Sequence, residues 1–415
     1  MNAGAWLGSA ITRLRGGGSG GTARALRVAT AAYVLGVIAQ STWLFYFAPV
    51  NLRAAGVAGR DAWAFAASAG ATMLTVVPAG MLADRVPRRW IMRVGLALLA
   101  VSYAPLLAPP SLGATVLASV LSGTGLAFLA IPFNSYVADL LSGASMAKGY
   151  GVTGALSVLA SALGPLAAAQ VFAMAPDEAT ALRWNAVLFA AVALAGLLLS
   201  LGLPQARIPT SRARLAGARG RVDPAVVPVA ALYVFVGFSF GATTPYFAVH
   251  FLNGLATPTD QWGVALALAT AAGALGFWLA GRLAARYQAA PLLVAGQALT
   301  ALCLVPFALP APVALLMAAF VLRYVFASTL SPLANVMMMG RVDPAGRGFA
   351  QGFASMAWNL GWALGALAGG PLLAAWGGAM FPAGAAVAVL GALLGVAVAA
   401  RARPKEVSLA DAQGA

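Results

Sequence analysis

One arginine, Arg323, stands where this chain can least accommodate a charge: midway along an apolar stretch, with no Asp or Glu at its depth. A guanidinium there has two uses. It meets an anionic or strongly polar group of a bound solute through parallel hydrogen bonds, or it is a structural cation held by helix carbonyls or a tyrosine. Other polar residues recur at helical spacing. Ser239, Thr243, Tyr246 and His250 share one narrow arc, and so do Gln351, Ser355, Trp358, Asn359 and Trp362. Tyr324, Ser328, Ser331 and Asn335 accompany Arg323, while Gln40, Trp43 and Asn134 lie in the N-terminal half. The chemistry of such faces is hydrogen bonding and stacking on a small solute, and the candidate binding residues among them are Gln40, Trp43, Asn134, Thr243, Tyr246, Arg323, Tyr324, Ser331, Gln351, Ser355, Trp358, Asn359 and Trp362. Covalent catalysis would need a cluster of His, Cys or acids within the apolar stretches, and none exists. A lone Cys303 and a lone His250 rule out a disulfide framework and a multi-ligand Cys/His metal site. With no P-loop there is no ATP-driven pump. The expectation is a protein that is not an enzyme and carries no metal or cofactor.

The elements that hold these residues are legible from hydropathy. Of 415 residues, 61% are hydrophobic and 8% charged, with mean hydropathy +0.88, a balance that belongs to a membrane-spanning chain. About twelve apolar segments, each near the ~20 residues that cross the hydrocarbon, fall at 26–50, 62–82, 91–107, 112–138, 149–174, 184–202, 225–250, 261–283, 290–308, 311–338, 348–373 and 377–400. The alternation of a membrane barrel is absent, so the segments are helices. Residues 1–24 form a basic, Gly-rich flexible tail rather than a signal peptide, and 401–415 a second tail. The longest polar link, 204–224, separates six spans (25–203) from six more (225–400). The expected fold is an all-α membrane protein of two pseudo-symmetric six-helix bundles.

A net charge of +15 would point to nucleic acid in a soluble chain. Here the basic residues are dispersed over alternate loops, the pattern of segments beside an anionic cytoplasmic leaflet. Placing both termini in the cytoplasm leaves only Arg53, Arg60 and Arg183 outside, and excludes nucleic acid as a partner. The abundance of Arg over Lys and the short loops suit a bacterial inner membrane.

The two halves repeat at an offset of about 200. Tyr33 matches Tyr233, Tyr46-Phe47-Ala48 matches Tyr246-Phe247-Ala248, and Pro132 matches Pro332. Shifted by one, Gly80, Leu82, Ala83 and Arg85 match Gly281, Leu283, Ala284 and Arg286. Arg323 falls opposite Gly123.

Gly80-Met81-Leu82-Ala83-Asp84-Arg85-Val86-Pro87-Arg88-Arg89 resembles the loop signature G-x-x-x-D-R/K-x-G-R-R/K of the major facilitator superfamily, with Pro87 in place of a glycine. The resemblance covers nearly the whole chain. It implies alternating access by two rocking bundles, a cavity lined by the first, fourth, seventh and tenth helices and flanked by the fifth and eleventh, and usually a monomer. It also implies that Asp84 latches the halves, with Gly80, Arg85, Arg88, Arg89 and the repeat mates Gly281 and Arg286 as gating residues. The physics agrees for Asp84, because the C-terminal end of a helix disfavours an anion that lacks a partner. The simpler alternative for Arg88 and Arg89 is that they anchor the loop on the cytoplasmic side. In the fifth span, Gly151, Ala160, Gly164, Pro165, Ala168 and Ala169 resemble the G-x8-G-x3-G-P-x2-G-G pattern of superfamily exporters, three glycines having become alanine. They equally describe a small-residue packing face.

For proton coupling, the candidates are Asp139, near the end of the fourth span, and His250, near the outer end of the seventh, where an interfacial role is the alternative. The expected function is secondary or facilitative transport of a small organic solute, with export slightly favoured. Alternatives are proton-coupled uptake of an organic anion through Arg323, and a lipid carrier on the same fold. The expected partners are that solute, membrane lipid and, in the coupled reading, protons.

Overall fold

A computed structural model describes residues 20–57, 60–83, 85–140, 143–204, 227–284, 286–339 and 347–401. Of the sequence landmarks, Asp84, most of the 204–224 link, residues 1–19 and 402–415 lie outside them, as do the side-chain surroundings of Gly151, Asn335 and Gln351.

Twelve helical spans run back and forth. In the first half, α1 comprises Gly20–Thr42, a π-helical turn Trp43–Phe47 and Ala48–Ala54. It is followed by α2 (Asp61–Ala83), α3 (Arg88–Val101 with a tighter turn Ala104–Leu107), α4 (Leu112–Leu140), α5 (Gly143–Met174) and α6 (Glu178–Leu201). In the second, α7 is built of Val227–Thr243, Tyr246–Val249 and a π-helical turn His250–Gly254. Then come α8 (Thr259–Ala284), α9 (Ala289–Leu304 with Val305–Ala308), α10 (Val313–Ala327 and Leu330–Met339), α11 (Arg347–Trp376) and α12 (Met380–Arg401). Among the described residues eleven stretches are long and apolar enough to cross a membrane, and the last, Phe353–Ala397, joins α11 and α12 through the turn Gly377–Ala379. The chain is an all-α membrane protein of about twelve spans.

The helices outrun the apolar windows because backbone hydrogen bonding continues into polar ends; α1 reaches Arg53 and α6 begins at Glu178, capped by Asp177, whose side chain accepts from Thr180 N at 2.8 Å. The breaks in α7 and α10 have local causes. Pro245 has no N–H to give to the preceding turn, and Pro332 lies just after the interruption at 328–329. Pro132, the mate of Pro332, sits inside an unbroken α4.

The same pairs of helices pack in both halves: α1 with α5 and α6, α2 with α4, α3 with α6, and correspondingly α7 with α11 and α12, α8 with α10, α9 with α12. The turn after α2 recurs after α8, with Arg85 N donating to Leu82 O at 3.0 Å and Arg286 N to Leu283 O at 2.9 Å. Between halves, α5 packs on α8 and α2 on α11. Within the second half, the packing of α7 on α11 depends on glycine: a Cβ on Gly241 would stand 2.1 Å from Trp362 O, and one on Gly365 2.1 Å from Phe238 O.

Two apolar cores result. One gathers Trp43, Phe47, Tyr103 and Phe189 of the first half with Tyr246, Phe247, Trp262 and Phe320 of the second, at the end where the α1–α2 and α7–α8 loops lie, here termed the far end. The other, built on Leu232, Leu293, Leu333 and Ala392, belongs to the second half alone, near the terminal end, where α1 begins and α12 finishes.

Candidate functional site

The far end is closed by a symmetric pair of contacts. Tyr46, on the π-helical turn of α1, donates from its hydroxyl to Thr259 O at the start of α8, at 3.0 Å. Its repeat mate Tyr246 packs edge-on against Phe65 near the start of α2, ring centroids 5.5 Å apart. Each half thus extends a tyrosine onto the other half's second helix. Arg53 reinforces the first contact, donating to Thr259 Oγ1 at 2.7 Å while its guanidinium pairs with Glu178 of α6 at 2.7 Å. Sequence reasoning missed Arg53, Tyr46, Phe65 and Thr259 as a seal. The signal available was the Tyr46/Tyr246 match, together with one of the few basic residues outside the cytoplasmic loops.

Small residues also bring α5 close to both neighbours towards the same end. A Cβ on Gly164 would stand 1.8 Å from Thr42 Oγ1 of α1, and one on Gly263 of α8 2.6 Å from Ala169 Cβ and 2.9 Å from Pro165 O of α5. Ala160 is buried on the same helix. Towards the terminal end, among the described residues, nothing comes within 4 Å of a Cβ built on Gly154 or Gly281, and only Ile131 approaches one on Gly80, at 3.9 Å.

Inside from the seal, Phe45 of α1 meets Trp362 of α11 across the halves, ring centroids 6.2 Å apart. One turn further along α11, Trp358 lies 6.0 Å from Trp362 and 5.3 Å from Phe240. Asn359 donates from Nδ2 to Ser355 O at 2.8 Å, leaving its amide oxygen available. Gln40, Ser355, Trp358, Asn359 and Trp362 are half-buried, and Asn134 of α4 and Ser331 of α10 are exposed.

Other predicted residues turn elsewhere. Trp43 has no exposed surface and donates from Nε1 to Ser119 Oγ at 3.3 Å, inside the first half. Thr243 is buried, its hydroxyl donating to Ser239 O, and Tyr246 serves the far-end seal. Half-buried Tyr324 packs its edge on Phe320 at 5.2 Å. Arg323 is 2% exposed, donates to Thr244 Oγ1 at 2.8 Å beside the break in α7, and lies 4.9 and 5.1 Å from the rings of Phe240 and Phe247. Aromatic faces and a hydroxyl therefore replace water around this cation. The guanidinium is enclosed by residues of the second half.

Among the described residues, two arginines of the loop signature bond to groups of the first half. Arg88 pairs with Asp139 and donates to Ser135 O, fastening the start of α3 to the end of α4. Arg89 donates to Leu203 O at 3.4 Å and Arg93 to Ser200 O at 3.1 Å, so α3 also caps α6 with positive charge where a helix end carries negative. Arg85 and Arg286 are exposed. His250 lies 5.3 Å from Phe381 and 5.8 Å from Phe307, within the second half. Among the described residues no group of three His, Cys, Asp or Glu could hold a metal.

Comparison with known proteins places this geometry. The sequence profile described as Major Facilitator Superfamily matches residues 29–230 and again 229–414. Among curated protein sequences there is no match. The fold is shared with a bacterial homolog of the human lysosomal transporter Spinster, solved inward-facing and occupied, at TM-score 0.69 and 16% identity over 92% of this chain and 96% of that one. It is shared with the nucleoside transporter NupG at TM-score 0.71 and 14% identity, over 91% and 98%. The xylose transporter XylE from E. coli, inward open, gives TM-score 0.67 and 16% identity over 93% and 96%.

Proposed function

Since this chain belongs to the major facilitator superfamily, we propose that it carries a small, uncharged, partly apolar organic solute by alternating access between its two six-helix halves. Solute transport, rather than catalysis, follows from the family. The chemistry of the solute follows from the walls. Phe45, Trp358 and Trp362 offer ring faces, and Gln40, Asn134 and Asn359 offer amides that donate and accept at once. Those residues bring no formal charge, and Arg323 is enclosed elsewhere. Xylose and nucleoside carriers among the structural neighbours transport solutes of this polarity.

The observation that carries the reading is the asymmetry between the two ends. Tyr46, Arg53 and Tyr246 bind the halves together at the far end, while the α5–α8 glycines near the terminal end meet nothing among the described residues. With the terminal end in the cytoplasm, the placement the loop arginines favour, this would be the inward-facing state of a bacterial inner-membrane carrier. The exporter-like Gly164-Pro165 pair sits where α1, α5 and α8 meet, which favours export. Asp139 is held by Arg88 and His250 is set among phenyl rings, so neither reaches the Trp362 region, which favours facilitated transport over proton coupling.

Ligand-induced thermal stabilisation of the purified protein tests this, since a solute that binds only the folded state raises its apparent stability. A panel of pentoses, nucleosides, organic anions and lipophilic cations should give stabilisation by an uncharged member, lost in Trp362→Ala and kept in Arg323→Met. Stabilisation by organic anions alone, abolished in Arg323→Met, would replace this reading with an anion carrier.

A further inference from the structure

On the outer face of the second half, towards the far end, a groove of about 620 Å³ lies between α8 and α10. Its walls include Val264 and Leu268 of α8, and Ala318, Leu322 and Val325 of α10, with Asp260 at the rim. The wall residues of α10 lie opposite the buried Leu316, Ala319, Phe320, Arg323 and Ala327, so the groove faces away from the core. Leu268 and Leu322 are 58% and 49% exposed at span depth. From residue 260 to 268 the groove descends roughly 12 Å at ~1.5 Å per residue, most of the ~15 Å depth of one leaflet. Its volume lies within the range of about 300–1,000 Å³ that holds small ligands. Below the groove α8 and α10 close up at Gly276, whose Cβ would stand 2.0 Å from Val325 O, as α2 and α4 do at Gly123, whose Cβ would stand 2.2 Å from Ser68 O.

A second, polar hollow of about 290 Å³ adjoins the groove at Asp260, bounded also by Asp177, Glu178 and Thr259. Glu178 is paired with Arg53. Hydrogen bonds from Thr180 hold the Asp177 carboxyl below its ordinary range, so it is fully anionic at neutral pH. An apolar channel one leaflet deep therefore ends at a carboxylate-rich rim, on a protein whose overall charge is +15.

We propose that this groove binds one membrane phospholipid with a primary-amine headgroup, its acyl chain between α8 and α10 and its ammonium at Asp260. An ammonium donates hydrogen bonds to a carboxylate, which a choline cannot, and an anionic glycerol headgroup is repelled.

Native mass spectrometry of the full-length protein in detergent, offered equal amounts of phosphatidylethanolamine, phosphatidylglycerol and phosphatidylcholine, tests both parts. Phosphatidylethanolamine adducts should exceed the other two at least five-fold. Asp260→Asn should level the three, and Ala318→Phe, which fills the groove, should remove adducts of all of them. Val264→Phe obstructs from the opposite wall, and melting curves identify whichever variant remains folded. Equal retention of the three lipids by the unaltered protein overturns the headgroup assignment, as does an undiminished preference in Asp260→Asn. Undiminished adducts in a folded groove-filled variant overturn the site.

Discussion

Gly123 in α4 and Arg323 in α10 hold equivalent positions in the two repeats, yet they solve opposite problems. At Gly123 the absence of a side chain lets α4 lie against the backbone of α2, with Ser68 O where a Cβ would go. At Arg323 a long cation fills the inside of α10, reaching Thr244 at the break in α7 and lying over Phe240 and Phe247. The first half gains a close approach of α4 to α2 at this level, which α8 and α10 make instead at Gly276. The second gains a cross-brace between α7 and α10 and has a groove between α8 and α10. A duplicated scaffold repeats which helices pack, while single residues decide how closely.

Gly123→Leu should break this comparison most severely. Backbone oxygen cannot yield to a new side chain, so the loss should reach about 3 kcal/mol or more, read as loss of folded protein or a large fall in melting temperature. Arg323→Ala comes next, at roughly 2–4 kcal/mol, because it leaves a cavity and removes the attraction between the cation and the rings of Phe240 and Phe247. Thr244→Val removes the hydroxyl acceptor from a buried guanidinium and should cost about 1–2 kcal/mol by thermal unfolding. Arg323→Met closes the series within about 1 kcal/mol of the unaltered protein, because volume is retained and the cost of burying a charge disappears. A Met variant as unstable as the Ala variant would show that the charge itself holds α7 to α10.

The Arg323 alternatives show what a sequence leaves open. Midway depth and the absence of acids identified a guanidinium needing unusual surroundings, and both a solute and a structural role met that requirement. The choice depended on rotation of α10 about its axis, set by packing that places Phe320 and Ala327 on the same buried side. Trp43 and Gln40 teach the same lesson. They are one turn apart on α1, yet Trp43 is enclosed by the first half, with its indole on Ser119, while Gln40 stays half-open. Arg88 was legible as a charge at a helix start; its pairing with Asp139 joins residues 51 apart in sequence.

By itself the sequence determined the spans, their number, the repeat and the side on which the loop arginines gather, because hydropathy, length and charge bias are additive along the chain. It also determined the family, through the matches that cover both halves. Only the tertiary structure decided which end is sealed, that Tyr46 and Arg53 reach Thr259, and that the cation of α10 turns inward. Those outcomes depend on helix rotation and on contacts across some 200 residues of chain, and no local pattern encodes either.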